Sequence, residues 1–179
     1  MATPTTIDDL VERNKELAKS YTPRPFFTEF AAMGIPMPKI LIVTCADPRC
    51  VPESFLGLKG AEAAVFRNVC GHVGPEMHHI LALDTIINFD EIMIVHHNDC
   101  GGFLINDEQV RKVLKERVPE HTAEVDKFAT FGGITDLEQS IRDDIAVLKA
   151  SPLMRKDLVN ATRGFTFDIK TGMLNPLDI

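Results

Sequence analysis

Long apolar runs are missing from this sequence of 179 residues. None approaches the roughly 18 residues that a bilayer crossing requires. The longest, Lys39–Thr44 and Ile92–Val95, have the length of buried strands. No membrane partner is therefore expected. Basic residues are also in the minority: 19 Lys and Arg stand against 26 Asp and Glu, a net charge of −7. That sign opposes a phosphate backbone, so no nucleic-acid partner is expected either. The segment Met1–Thr6 has neither the apolar centre of a secretory signal nor the Arg-rich amphipathic character of a transit peptide. A cytoplasmic location is the corresponding expectation. No internal repeat or low-complexity tract is visible. With 45% apolar residues the chain has enough core for one domain. We expect that domain to span 1–179, as an N-terminal helical arm over 1–34 and an α/β core over 35–179.

Cysteine is scarce, at Cys45, Cys50, Cys70 and Cys100. In a chain of this length without a signal, metal binding or catalysis is a better expectation than disulfides. The plain alternative is four buried thiols acting as small apolar groups. No two of them form a Cys-x-x-Cys, which argues against a zinc ribbon and against a redox dithiol.

Periodicity outlines the elements. Ile7, Leu10, Val11, Leu17 and Ala18 mark an amphipathic helix over 7–20, with Thr6 as its N-cap and Asp8 and Asp9 in the first turn. Pro23, Pro25, Pro36 and Pro38 bracket a loop. Lys39–Thr44, Glu62–Arg67 and Glu91–Val95 read as strands covered on both faces, the pattern of a parallel sheet. A helix over 75–89 joins the last two, and strand, helix, strand implies a crossover connection. Two more helices are expected over 105–118 and 136–150, with 119–135 as loop. Gly164–Ile169 alternates like an edge or half-exposed strand, followed by a turn at Lys170–Gly172.

Two of these strands end in chemistry. Cys45-Ala46-Asp47-Pro48-Arg49 follows the first, and His97-Asn98-Asp99-Cys100-Gly101-Gly102 ends the third. The carboxyl ends of parallel strands share one crevice, so Cys45, His97 and Cys100 can meet there. Two thiolates and an imidazole suit zinc, and three protein ligands leave a fourth position for solvent, as catalytic sites do. Asp47 and Arg49 share a loop with a candidate ligand. A bidentate pair between them would aim the carboxylate at that solvent and keep it off the metal. A surface ion pair of little worth is the alternative.

Cys45-x-Asp47-x-Arg49 with His97-x-x-Cys100-Gly101 resembles the paired signature of the β-class carbonic anhydrases. Arg67-Asn68-Val69-Cys70-Gly71 resembles that family's Arg-Asn-Ala-Gly segment, and Arg163–Asp168 with Thr171-Gly172 resembles the last strand of its shorter members. The likeness covers about residues 35–175. It implies a mostly parallel α/β sheet flanked by helices and one Zn2+ per subunit, held by Cys45, His97 and Cys100. It also implies a dyad of Asp47 and Arg49, with Asp47 as a fourth ligand in a closed state of some members. The implied assembly is a homodimer or dimer of dimers, the N-terminal arm packing on the partner subunit. The implied reaction is reversible hydration of CO2 to bicarbonate. Hydrolysis of carbonyl sulfide, or of carbon disulfide, is the alternative on the same centre. A catalytically dead binding module and a thiol redox protein stand as readings of other classes.

The pocket is expected to include Val69, Gly71 and Gly101, with Phe27, Phe30, Ile80 and Leu83 as further apolar wall. Pro48 and Cys70 depart from the family pattern, and Cys50 is an extra thiol. Cys50 and Cys70 are expected to be buried and structural. His96 should point away from His97 and be packed. His72, His78 and His79 are read as solvated helix histidines, with proton shuttling as the alternative, and His121 as loop surface.

Overall fold

The computed structural model describes residues 4–178. These divide into two units between Pro36 and Met37. In the first, α1 (Ile7–Ala18) opens on a reciprocal cap. The Thr6 hydroxyl accepts the Asp9 amide N–H at 3.2 Å, and the Asp9 carboxylate accepts the Thr6 amide N–H at 2.8 Å. No residue of α1 is buried, and its stripe of Ile7, Leu10, Val11 and Leu17 is exposed.

The second unit is built on one sheet: β1 (Ile40–Cys45), β2 (Ala63–Asn68), β3 (Glu91–His97), β4 (Thr162–Phe167) and β5 (Leu174–Pro176). Spatial order is β2-β1-β3-β4-β5; all pairings are parallel except β4 with β5. Helices α2 (Pro52–Phe55), α3 (Met77–Ile87), α4 (Asp107–Arg117), α5 (Thr122–Val125), α6 (Leu137–Ala150) and α7 (Lys156–Asn160) accompany it. β1 is an interior strand, flanked by β2 and β3, which is why all of it after Ile40 is buried. Side chains alternate across the sheet. Leu41, Val43, Ile92 and Ile94 pack with Ile80 of α3, Ile141, Ile145 and Leu148 of α6 and Leu158 of α7. Ile42, Val95 and Phe167 form the other core with Cys45, Cys50, Cys70 and Cys100. There the Phe55 and Phe167 rings stack with centroids 4.2 Å apart.

Three sequence readings need correction. β2 ends the sheet and is only partly buried rather than covered on both faces; β4 takes the half-exposed alternative, not the edge one, because β5 pairs along it at Phe165↔Pro176, Thr166↔Asn175 and Phe167↔Leu174. β5 escapes notice because three residues ending in Pro carry no alternation. Its turn was readable: Asp168 Oδ1 accepts the amide N–H of Lys170 at 2.8 Å, and Gly172 takes the left-handed conformation at φ 74°. The stretch 119–135 is not all loop, since it contains α5. Ile80 and Leu83 belong to the first core rather than to a pocket wall, because helix α3 turns them onto the sheet.

Candidate metal centre

β1 and β3 are neighbours in parallel register, so their carboxyl ends open side by side. Cys45 closes β1 and His97 closes β3. Asp99 then takes a left-handed turn at φ 52°, which returns the chain and delivers Cys100. Donor atoms of Cys45, His97 and Cys100 converge within 4.8 Å of one another, and all three residues are buried. The structure thus brings together side chains that lie up to 55 positions apart.

The donors fit a tetrahedral cation. The Cys45 and Cys100 sulfurs lie 3.8 Å apart. Two sulfurs at 2.3 Å from zinc on tetrahedral corners would stand about 3.8 Å apart. His97 Nδ1 faces the Asn98 carbonyl oxygen at 2.8 Å. A carbonyl only accepts, so Nδ1 carries the hydrogen and Nε2 holds the lone pair. Among the described residues His97 Nε2 is the one buried side-chain nitrogen or oxygen without a hydrogen-bond partner. Such an orphan calls for an explanation, and a cation supplies one. Each sulfur also receives a backbone N–H at 3.4 Å, from Asp47 to Cys45 and from Gly102 to Cys100. Those donors favour thiolate. Without a cation, the Cys100 sulfur and burial push the Cys45 thiol up to about 12. Burial would depress His97, but the Cys100 and Cys45 sulfurs lift it to about 10. A divalent cation bound here would take the place of these protons.

Asp47 stands at the rim of this group, its Oδ2 3.8 Å from His97 Nε2. Arg49 donates to it from Nη2 at 2.7 Å, from Nε at 3.0 Å and from its amide at 2.8 Å. The Arg49 side chain holds the Asp47 carboxyl at about 2, well below its ordinary 3.8. Arg49 is itself anchored, Nη1 donating to Asp99 Oδ2 at 2.7 Å and Nη2 to the Asp99 carbonyl at 2.9 Å. Arg67 donates to the Asp47 carbonyl at 2.7 Å and the Cys45 carbonyl at 3.1 Å, which pins the loop between donor and dyad.

The carbonic anhydrase family model matches residues 40–174, which contain every group just described. The chain belongs to the β-carbonic anhydrase family. β-Carbonic anhydrase 1 of Mycobacterium tuberculosis is 29% identical over 148 residues, 79% of this chain and 85% of that one. A carbon disulfide hydrolase of Saccharolobus solfataricus is 27% identical over 164 residues, 79% of this chain and 78% of that one. The crystal structure of a carbonic anhydrase from Streptococcus mutans superposes with a TM-score of 0.78 at 26% identity, covering 99% of this chain and 100% of that one.

In this member of the family, a cavity of about 310 Å3 opens at two of the three donors, Cys45 and Cys100. Cys45, Ala46, Asp47, Val69, Cys70, Cys100, Gly101, Gly102 and Ile105 line it. Val69 and Gly101 are thus at the cavity. Gly71 is buried behind it: a Cβ there would come within 2.8 Å of the Thr44 carbonyl carbon, and its own φ is 86°. Its carbonyl instead faces His96 Nε2 at 3.2 Å. Cys50 is fully buried, 3.2 Å from Thr44 Oγ1, as a structural thiol would be. Cys70 is buried too, but it borders the cavity.

The histidines sort by position. His96 does point away from His97, onto α6, with Nδ1 2.8 Å from Ser140 Oγ. His72 is not a helical surface residue. It lies between β2 and α3, with Nδ1 3.0 Å from Asp144 Oδ2 and Nε2 3.3 Å from the Gly132 carbonyl. Asp144 Oδ2 also lies 3.2 Å from His96 Nε2, and Oδ1 accepts the Val73 amide N–H at 2.8 Å. Sequence reasoning missed this network. Its signal was an acid at position 144 on the α6 face that carries Ile141, Ile145 and Leu148. His78 and His79 are exposed on α3, and His121 is exposed.

Proposed function

We propose that this chain is a zinc enzyme that hydrates CO2 reversibly to bicarbonate. One observation carries the reading: two sulfurs and an unpartnered imidazole nitrogen converge beneath a small cavity, with an ionised, doubly held carboxylate at its rim. Cys45, His97 and Cys100 would hold the zinc, one per subunit. Bound there, zinc would acidify solvent far below the ordinary 15.7 of water and so supply a nucleophile near neutral pH. Asp47 is placed at the rim to accept a hydrogen bond from solvent at the centre. Arg49 keeps both Asp47 oxygens engaged, which holds the carboxylate beside the donors. Val69, Cys70 and Ile105 give the cavity apolar walls with no cationic side chain among them. A small linear molecule, electrophilic at carbon, suits such walls. Gly101 leaves its approach open, with nothing within 4 Å of where a Cβ would stand.

Hydrolysis of carbonyl sulfide is the second reading. It is supported by the similarity to a carbon disulfide hydrolase and by Cys70, whose sulfur adds bulk at the cavity wall. Assaying both substrates on one zinc-loaded sample decides between them. CO2 hydration is expected to dominate, and carbonyl sulfide turnover far above it would reverse the ranking. We further propose a homodimer or dimer of dimers. The exposed apolar stripe of α1 supports packing of the arm on a partner subunit.

A further inference from the structure

Cys70 has no part in the proposed chemistry, yet its sulfur lies 3.9 Å from that of Cys100. It stands outside the convergent donor group of Cys45, His97 and Cys100. Its backbone is left-handed, at φ 63°, a conformation that favours glycine. The sulfur donates to the Gly132 carbonyl at 3.0 Å and rests directly over Gly102, where a Cβ would be only 2.0 Å away. No side chain at 102 therefore blocks movement of the Cys70 sulfur toward Cys100. Both thiols border the cavity, so a small solute reaching the donors also reaches Cys70. Cys50 shares none of these features, being sealed against Thr44.

We propose that Cys70 and Cys100 are a modification site for hydroperoxides, whose product, a disulfide, withdraws Cys100 from the metal centre. This rests on the reading of Cys100 as a zinc ligand. With hydrogen peroxide, the Cys70 sulfur attacks one peroxide oxygen; the S–O bond forms, the O–O bond breaks, and the other oxygen leaves with the thiol proton as water. The Cys100 sulfur then displaces hydroxide from the Cys70 sulfenic acid, forming the S–S bond. The two sulfurs lose two electrons and the peroxide is reduced to water and hydroxide. Cys100, at 3.9 Å, is the sulfur placed to attack the oxidised Cys70. With Cys100 withdrawn, Cys45 and His97 are left as a two-donor site, and the ion is released.

The test uses the zinc-loaded full chain treated with hydrogen peroxide. Released zinc is followed with a chromogenic chelator, and disulfides are mapped without reduction after cleavage at glutamate. That cleavage puts Cys70 in 63–76, Cys100 in 92–108 and Cys45 with Cys50 in 30–53. Fragment 63–76 joined to 92–108 is expected, in step with zinc loss, and dithiothreitol with added zinc should reverse both. Cys70→Gly, which suits the local backbone, should keep its zinc under the same dose; Cys70→Ser checks that result with the cavity filled. Zinc loss from both variants at the parent rate, a Cys45–Cys100 link, or sulfinic acid without a link would overturn the proposal. Protein that holds no zinc before treatment overturns the metal reading instead, and the fragment map still decides the thiol pairing.

Discussion

Arg49 donates to both oxygens of Asp47, from Nε at 3.0 Å and from Nη2 at 2.7 Å. The guanidinium fork fixes the carboxylate plane and keeps it ionised, with a pKa of about 2. Asp47→Asn keeps the shape but removes the charge that pairs with Arg49 and accepts from solvent. It should retain its zinc and lose turnover by about 10²-fold, the usual loss when one positioned electrostatic group is removed. Stopped-flow CO2 hydration with metal analysis on the same sample checks this. Full activity in the variant would make the pair an ornament.

Zinc removal should lower the melting temperature, and adding zinc should restore it, because the donors meet only in the folded chain. Free zinc at a hundred times its Kd would contribute about 2.7 kcal/mol. Cys100→Ser and His97→Ala should both lose metal and the zinc-dependent part of the melt. Calorimetry with and without chelator measures it. A melt indifferent to chelator would contradict the assignment of the ligands.

How much of this was legible in the sequence depends on distance along the chain. Cys45, Asp47 and Arg49 share one loop, and His97 and Cys100 another, so each half of the centre is a local pattern ending a strand. Continuous apolar runs marked those strands, and parallel pairing then brought the halves together. What escaped depends on contacts between remote elements. Asp144 meets His72 and His96 only because α6 packs on the sheet face opposite His97. Cys70 borders Cys100 through a left-handed turn that spacing does not reveal. The anchoring of Arg49 by Asp99 joins two loops that neighbour each other only once folded.

The Asp144 network predicts a pH dependence. His72 faces two acceptors, and its carboxylate partner raises its pKa above 6.5 against the effect of burial. A raised pKa means stability that is complete below 6.5 and is lost as pH rises through the folded value. Burial would raise the Asp144 carboxyl, but His72 and His96 hold it below 3.8. Its contribution is present above 3.8 and is lost as pH falls through the lower folded value. His72→Gln, which does not titrate, should therefore flatten the alkaline decline. Urea midpoints of parent and variant across the range above pH 6.5 test this. A constant difference between the two would show that His72 adds nothing by titrating.

Gly102 and Cys70 should be energetically coupled. The φ of Gly102 is not left-handed, so alanine there strains no backbone, and its whole effect comes from packing. The added methyl would meet the Cys70 sulfur at 2.0 Å, while its next neighbour, Ile134 Cγ1, is at 3.4 Å. Gly102→Ala should cost about 1–3 kcal/mol, as overpacking does. In a Cys70→Gly background the obstructing sulfur is gone and the left-handed turn suits the new residue, so the same alanine should be nearly neutral. Urea unfolding of the four proteins closes the cycle, with a coupling of about 0.5–3 kcal/mol expected for residues in contact. If Gly102→Ala cost the same in both backgrounds, the sulfur would not be what keeps position 102 bare. The space between Cys70 and Cys100 would then lack the freedom that the disulfide requires.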